Sequence, residues 1–75
     1  MTSKEMIGVV VTVDDAHRSG IEDVARALAT AGLRGGTVLA MAGIVTGKAP
    51  ATKLAALANV EGVVAVERDG QMQAL

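Results

Sequence analysis

An α+β sandwich, with elements in the order strand, helix, strand, strand, helix, strand, is the fold this sequence predicts, and three observations predict it. Short β-branched runs stand at Met6–Val13 and at residues 63–67, the composition that fits a pleated, half-buried surface. Between them, Ile21, Val24, Ala25 and Leu28, and later Leu54, Leu57 and Ala58, recur at helical spacing. There is also an internal echo: Val10-Val11-Thr12 precedes the first helical segment and Ile44-Val45-Thr46 the second. Two split strand–helix–strand units in tandem give the ferredoxin-like sandwich, in which right-handed crossovers place both helices on one face of a four-stranded antiparallel sheet.

Each element has its own signal. Neither face of the first run, Met-Ile-Gly-Val-Val-Val-Thr-Val, is strongly polar, so it is expected as a central strand ended by Asp14-Asp15. Ser19-Gly20-Ile21-Glu22 has the spacing of a capping box, with Asp14 or Asp15 as an earlier start for the helix. Gly32 is the natural stop, since glycine accepts the left-handed conformation there. Gly35-Gly36 closes the connection to a second strand at residues 37–41. A tight turn at Ala42-Gly43 leads to a third strand at residues 43–46. Pro50 suits the first turn of the second helix, because its missing N–H has no partner to lose there. Asn59 to Gly62 ends that helix, residues 63–67 form the fourth strand, and residues 68–75 form a C-terminal tail.

Composition limits what such a domain does. The 75 residues make a single domain, residues 1–75, with 7 basic and 8 acidic side chains, one His, no Cys and no aromatic residue. No Cys and one His exclude a disulfide framework and a closed structural zinc site. Without aromatic residues or a basic excess there is neither a stacking platform nor an electrostatic footprint for nucleic acid. A domain this short buries about 60% of its unfolded surface, so its stability should be on the order of 5 kcal/mol. The apolar stretch from Thr37 to Thr46 is about half a membrane span, and the polar start of the chain lacks a signal-peptide pattern. A cytoplasmic protein off the membrane is expected, with secretion left open. The Ala, Val and Gly richness suggests a bacterial chain.

The candidate catalytic motifs fall short of their chemical requirements. Gly43-Ile-Val-Thr-Gly47-Lys48 lacks one spacer of a phosphate loop and carries Ala49 where a Mg²⁺-binding hydroxyl belongs. Asp14, Asp15, His17 and Ser19 share one helix start, whereas a triad needs convergent groups with an oxyanion site. Two adjacent carboxylates are too few oxygens for calcium. Gly35-Gly36 reads as a turn rather than an anion nest, and Lys48 or Lys53 would need a desolvating pocket to act as a nucleophile. No catalytic residue, metal or cofactor is therefore expected, and the chain is read as a non-enzyme.

Apolar surface is what remains. Helices cover one sheet face, and the other exposes either Val10 with Thr12 or Val9 with Val11, and either Val64 with Val66 or Val63 with Ala65. An open apolar face on a small domain marks a contact surface.

The run Leu54-Ala-Ala-Leu57-Ala-Asn-Val60-Glu61-Gly62-Val63-Val64-Ala65-Val66-Glu67-Arg68-Asp69 resembles the end of the subtilisin propeptide-like inhibitors. That family includes subtilisin prodomains and the free-standing fungal proteinase B inhibitors. Its pattern there is spaced leucines, a Gly-Val step and Val-Glu-x-Asp. The resemblance extends to the Val-Val-Val-Thr-Val strand, the Asp-rich helix start and Gly43-Ile44. Departures are the absence of aromatic core residues and Arg68 in place of an acidic residue or Pro. The resemblance implies the same sandwich, with its open sheet face seated on two surface helices of a subtilase. It implies that Glu67 and Asp69 cap N-termini of those helices, where unpaired N–H groups attract anions. It further implies a tail lying in the protease cleft like a substrate, with Leu75 in the first specificity pocket, Ala74 in the second and Met72 in the fourth.

The function expected on that resemblance is a stand-alone, propeptide-like inhibitor or folding helper of a subtilisin-type serine protease. The alternative is a non-inhibitory self-association module, a homodimer formed through the open sheet face. A third reading, a small-ligand sensor on the same sandwich, lacks a convergent polar cluster.

Overall fold

The computed structural model describes residues 6–69. Strand β1 (Met6–Val13) leads through a 3-10 segment (Asp15–Gly20) into helix α1 (Ile21–Ala31). Strands β2 (Arg34–Leu39) and β3 (Ile44–Pro50) follow, then a 3-10 turn (Ala51–Lys53), helix α2 (Leu54–Ala58) and strand β4 (Val63–Arg68). The sheet order is β2-β3-β1-β4, and every neighbouring pair is antiparallel. With both helices on one face, this is the expected ferredoxin-like topology.

Strand alternation sets the core. Val9, Val11 and Val13 of β1 all turn to the helical side and are almost fully buried. They pack with Val45 and Ala49 of β3, with Ile21, Val24 and Leu28 of α1, and with Leu57 of α2. Leu28 and Leu57 are the largest fully buried side chains, and burial of each contributes about 1.5–3 kcal/mol. No polar or charged residue is buried among the described residues, so nothing in this aliphatic core carries an unpaired polar group.

Several local expectations are corrected. The Ser19–Glu22 capping box does not form: α1 follows directly on the 3-10 segment, its N-cap is Gly20, and no side chain caps it. Asp14 caps the 3-10 segment instead, accepting from the His17 backbone N–H. The helix stop at Gly32 holds, with φ 127° and an N–H bonded to the Leu28 and Ala29 carbonyls. Leu33 then drops into the core, so β2 starts at Arg34, three residues before its expected start.

Gly35 and Gly36 therefore lie inside β2. Gly35 has φ 64°, and the register shifts between Arg34 and Thr37, as in a bulge that needs glycine at a left-handed position. Strand β3 runs on to Pro50, four residues past its expected end, and Pro50 stands at the N-cap of the following 3-10 turn rather than within a helix. In the short α2, Ala58 is exposed, and Val60 packs on the core beyond it. Strand β4 also carries a shift: Ala65 pairs Thr12 and Val63 pairs Val13, leaving Val64 as the extra, exposed residue.

Candidate functional site

The sheet face away from the helices is built from transverse rows of paired residues. At one end Leu39, Ile44, Thr12 and Ala65 lie side by side across the four strands. The next row is Thr37, Thr46, Val10 and Glu67. A third holds Arg34, Lys48 and Gly8. Asp69 completes it from beyond β4: its N–H donates to the Gly8 carbonyl at 2.8 Å, and its Cβ lies 3.5 Å from where a Gly8 Cβ would stand. The open β1 pair is thus Val10 with Thr12. Val63 and Val66 pack partly against the core.

The exposed large apolar side chains concentrate on this side. Met6, which pairs with Pro50, and Leu39 lie on the face, Val64 stands at its β4 edge, and Met41 occupies the turn after β2. The outer surfaces of α1 and α2 expose no large apolar side chain. A face that gathers the exposed apolar groups of a small domain has the composition of a contact surface.

Of the residues implied by the resemblance, Glu67 is exposed on the open face beside Val10, and Asp69 follows it on the same side, next to Gly8. Met72, Ala74 and Leu75 lie outside the described residues. Arg34 and Leu39, which the sequence did not single out, complete the face with Lys48, which it offered only as the end of a phosphate-loop motif or as a nucleophile. The signal for Lys48 was the alternation Ile44, Thr46, Lys48, which continues the strand beyond Thr46.

The helix-start cluster gains one long-range member. His17 Nδ1 lies 2.8 Å from Asp14 Oδ1, and its Nε2 lies 3.6 Å from Glu61 Oε2 on the loop before β4. The ring sits against Gly62, whose φ is 94° and where an added Cβ would fall 2.8 Å from His17 Cγ. The Asp14 N–H bonds the Gly62 carbonyl at 2.9 Å. The contact therefore ties the end of β1 to the entry of β4. A shallow groove of about 390 Å³ runs beside it, lined in part by Ser19, Asp23 and Val60. Ser19 makes no hydrogen bond to His17, so no Ser–His–Asp relay is assembled. Among the described residues no three His, Asp or Glu side chains are placed to hold a metal ion. The remaining motif, residues 43–48, is a turn followed by β3.

The hydrogen bond with Asp14 raises the His17 pKa above its ordinary 6.5, and the same bond lowers the Asp14 pKa below 3.8. The His17 contribution to stability is therefore complete below pH 6.5 and is lost as pH rises through the raised value. The Asp14 contribution is complete above pH 3.8 and is lost as pH falls through the lowered value. The contact should thus stabilise the fold most between those limits. An NMR titration of the His17 ring protons checks the cause: in Asp14→Asn the midpoint should fall toward 6.5. An unchanged midpoint would remove Asp14 as the source.

Comparison of the chain with models of known protein families, with curated proteins and with solved structures returned no match. No helix among the described residues is long and apolar enough to cross a membrane.

Proposed function

We propose that the chain binds and inhibits a subtilisin-type serine protease in the manner of a propeptide-like inhibitor, and that it can assist folding of such an enzyme. The observation that carries this reading is the position of Glu67 and Asp69, both on the open-face side at the end of β4, bordering a face with exposed apolar groups. The apolar face seats on the enzyme surface. The two carboxylates meet helix N-termini, whose unpaired N–H groups and dipole favour anions. Residues 70–75 then run into the cleft, where backbone pairing supplies affinity as in strand addition. Leu75 and Met72 present apolar side chains to the first and fourth pockets, with Ala74 at the second.

Titration of a purified subtilisin with the chain, and with a version ending at Gln71, tests this. The full chain should inhibit competitively. The shortened one should be weaker by about 100-fold or more, because it lacks the residues that fill the pockets. No inhibition by the full chain would overturn the reading. A second copy of the chain is the other occupant that the exposed apolar groups favour.

A further inference from the structure

We propose that the open sheet face is self-complementary and that two copies of the chain pair face to face about a two-fold axis running along the strands, midway between β3 and β1. The inference concerns the free chain and stands apart from the protease reading. It rests on how the face is divided. Its cations, Arg34 and Lys48, lie on the β2–β3 half, and its anions, Glu67 and Asp69, lie on the β4 side of β1. Arg34, Lys48 and Glu67 have no ion-pair partner among the described residues.

A two-fold axis along the midline exchanges the halves and keeps each transverse row level. In the charged row it sets Arg34 of one copy over Asp69 of the other, with Lys48 one strand inward and diagonal to Glu67 across the interface. In the row at the opposite end it sets Leu39 over Ala65 and the Val64 bulge, and Ile44 over Thr12. Opposite charge meets opposite charge at one end, and at the other the facing groups are aliphatic apart from the Thr12 hydroxyl. An isologous interface requires this correspondence. An axis perpendicular to the strands would instead bring the apolar end over the charged end. The sheets would pack aligned, about 10 Å apart and rotated by about 30°.

The size of the face sets the strength. Four strands about 4.8 Å apart and some six residues long offer about 400 Å² of flat area per copy. Two such faces fall at the low end of specific interfaces, so the dimer should be reversible, with a dissociation constant on the order of 10 μM. The pairing covers Glu67 and Asp69, so a copy engaged in the dimer is unavailable to any partner that reads those carboxylates.

Sedimentation equilibrium of the chain alone from about 1 to about 500 μM, a range that starts a decade below that constant and ends well above it, tests the proposal. A monomer–dimer equilibrium is expected. Arg34→Asp and Asp69→Arg should each weaken it by about tenfold or more, and the double exchange R34D/D69R should restore it, because every interface then regains both pairs. Far-UV circular dichroism checks that the variants fold. Independently of the variants, isotope-filtered NMR of the wild-type chain should show contacts between the Leu39 and Val64 methyl groups of different copies. A monomer throughout the range would overturn the dimer. A dimer indifferent to both single exchanges, or one lacking the Leu39–Val64 contact, would overturn the axis.

Discussion

Replacing Leu28 by Ala should raise the unfolded fraction at 25 °C from a trace to between about 2% and about 50%. Leu28 is fully buried where α1 meets the sheet, among aliphatic neighbours. Truncation there removes the transfer energy of the lost carbons and leaves a cavity, together costing about 2.7–5 kcal/mol. Stability for a domain of this size is only about 5 kcal/mol, so a single substitution consumes half of it or more. Urea melts at one dilute protein concentration, held fixed so that association does not shift the midpoint, measure the loss. Leu39→Ala is the contrast, because Leu39 is 46% exposed and its loss should stay within about 0.5 kcal/mol. A Leu28→Ala loss below 1 kcal/mol would show that the site collapses around the missing carbons.

Gly47→Ala should detach β2. Gly47 has no special backbone angle to protect, yet a Cβ there would lie 2.7 Å from the Arg34 carbonyl oxygen and 3.0 Å from Leu33 side-chain carbons. A carbonyl cannot rotate away as a side chain can, so the strand itself must move. β2 is an edge strand, held in the sheet only by β3, and as the strand in contact it yields first. The strain should cost about 1–3 kcal/mol, more than the fraction of a kcal/mol gained from a less flexible unfolded chain. Amide exchange should lose protection in β2 while β1 and β4 keep theirs. Gly36→Ala should be tolerated, since its Cβ would meet Leu33 and Val45 at ordinary contact distances of 3.6–3.7 Å. Equal stability of Gly47→Ala and the parent would falsify the close-approach account.

The elements that were legible in the sequence are those whose burial is periodic. β1 was bounded correctly because eight residues carry a β-branched pattern that ends at two aspartates. The α1 stripe was visible because Ile21, Val24 and Leu28 all face one core. The edges of β2 and β3 were missed because glycine punctuates without saying how. Gly35-Gly36 reads as a loop by composition, while the chain uses it as a bulge within a strand. Lys48 hid the end of β3, since a solvated lysine on the open face looks like the start of a turn. For the site, Glu67 and Asp69 were marked by a local motif, whereas the Glu61–His17 approach joins residues 44 positions apart and leaves no local trace. The division of charge across the face emerges only once Arg34, Lys48 and Glu67 are placed by strand order.

The central position of β1 has a consequence for biosynthesis. β1 is made before every strand it pairs with, and its two flanks are filled by β3 and then β4. At about 5–20 residues per second, several seconds separate the appearance of Val13 from that of Val63. Both edges of this β-branched segment are unmatched until β3 is made, and one stays so until β4 is made, the condition under which strands pair with the wrong chain. Only the synthesis of β4 closes the second edge, so a ribosome stalled before Val63 would display a sticky strand rather than a partly finished domain.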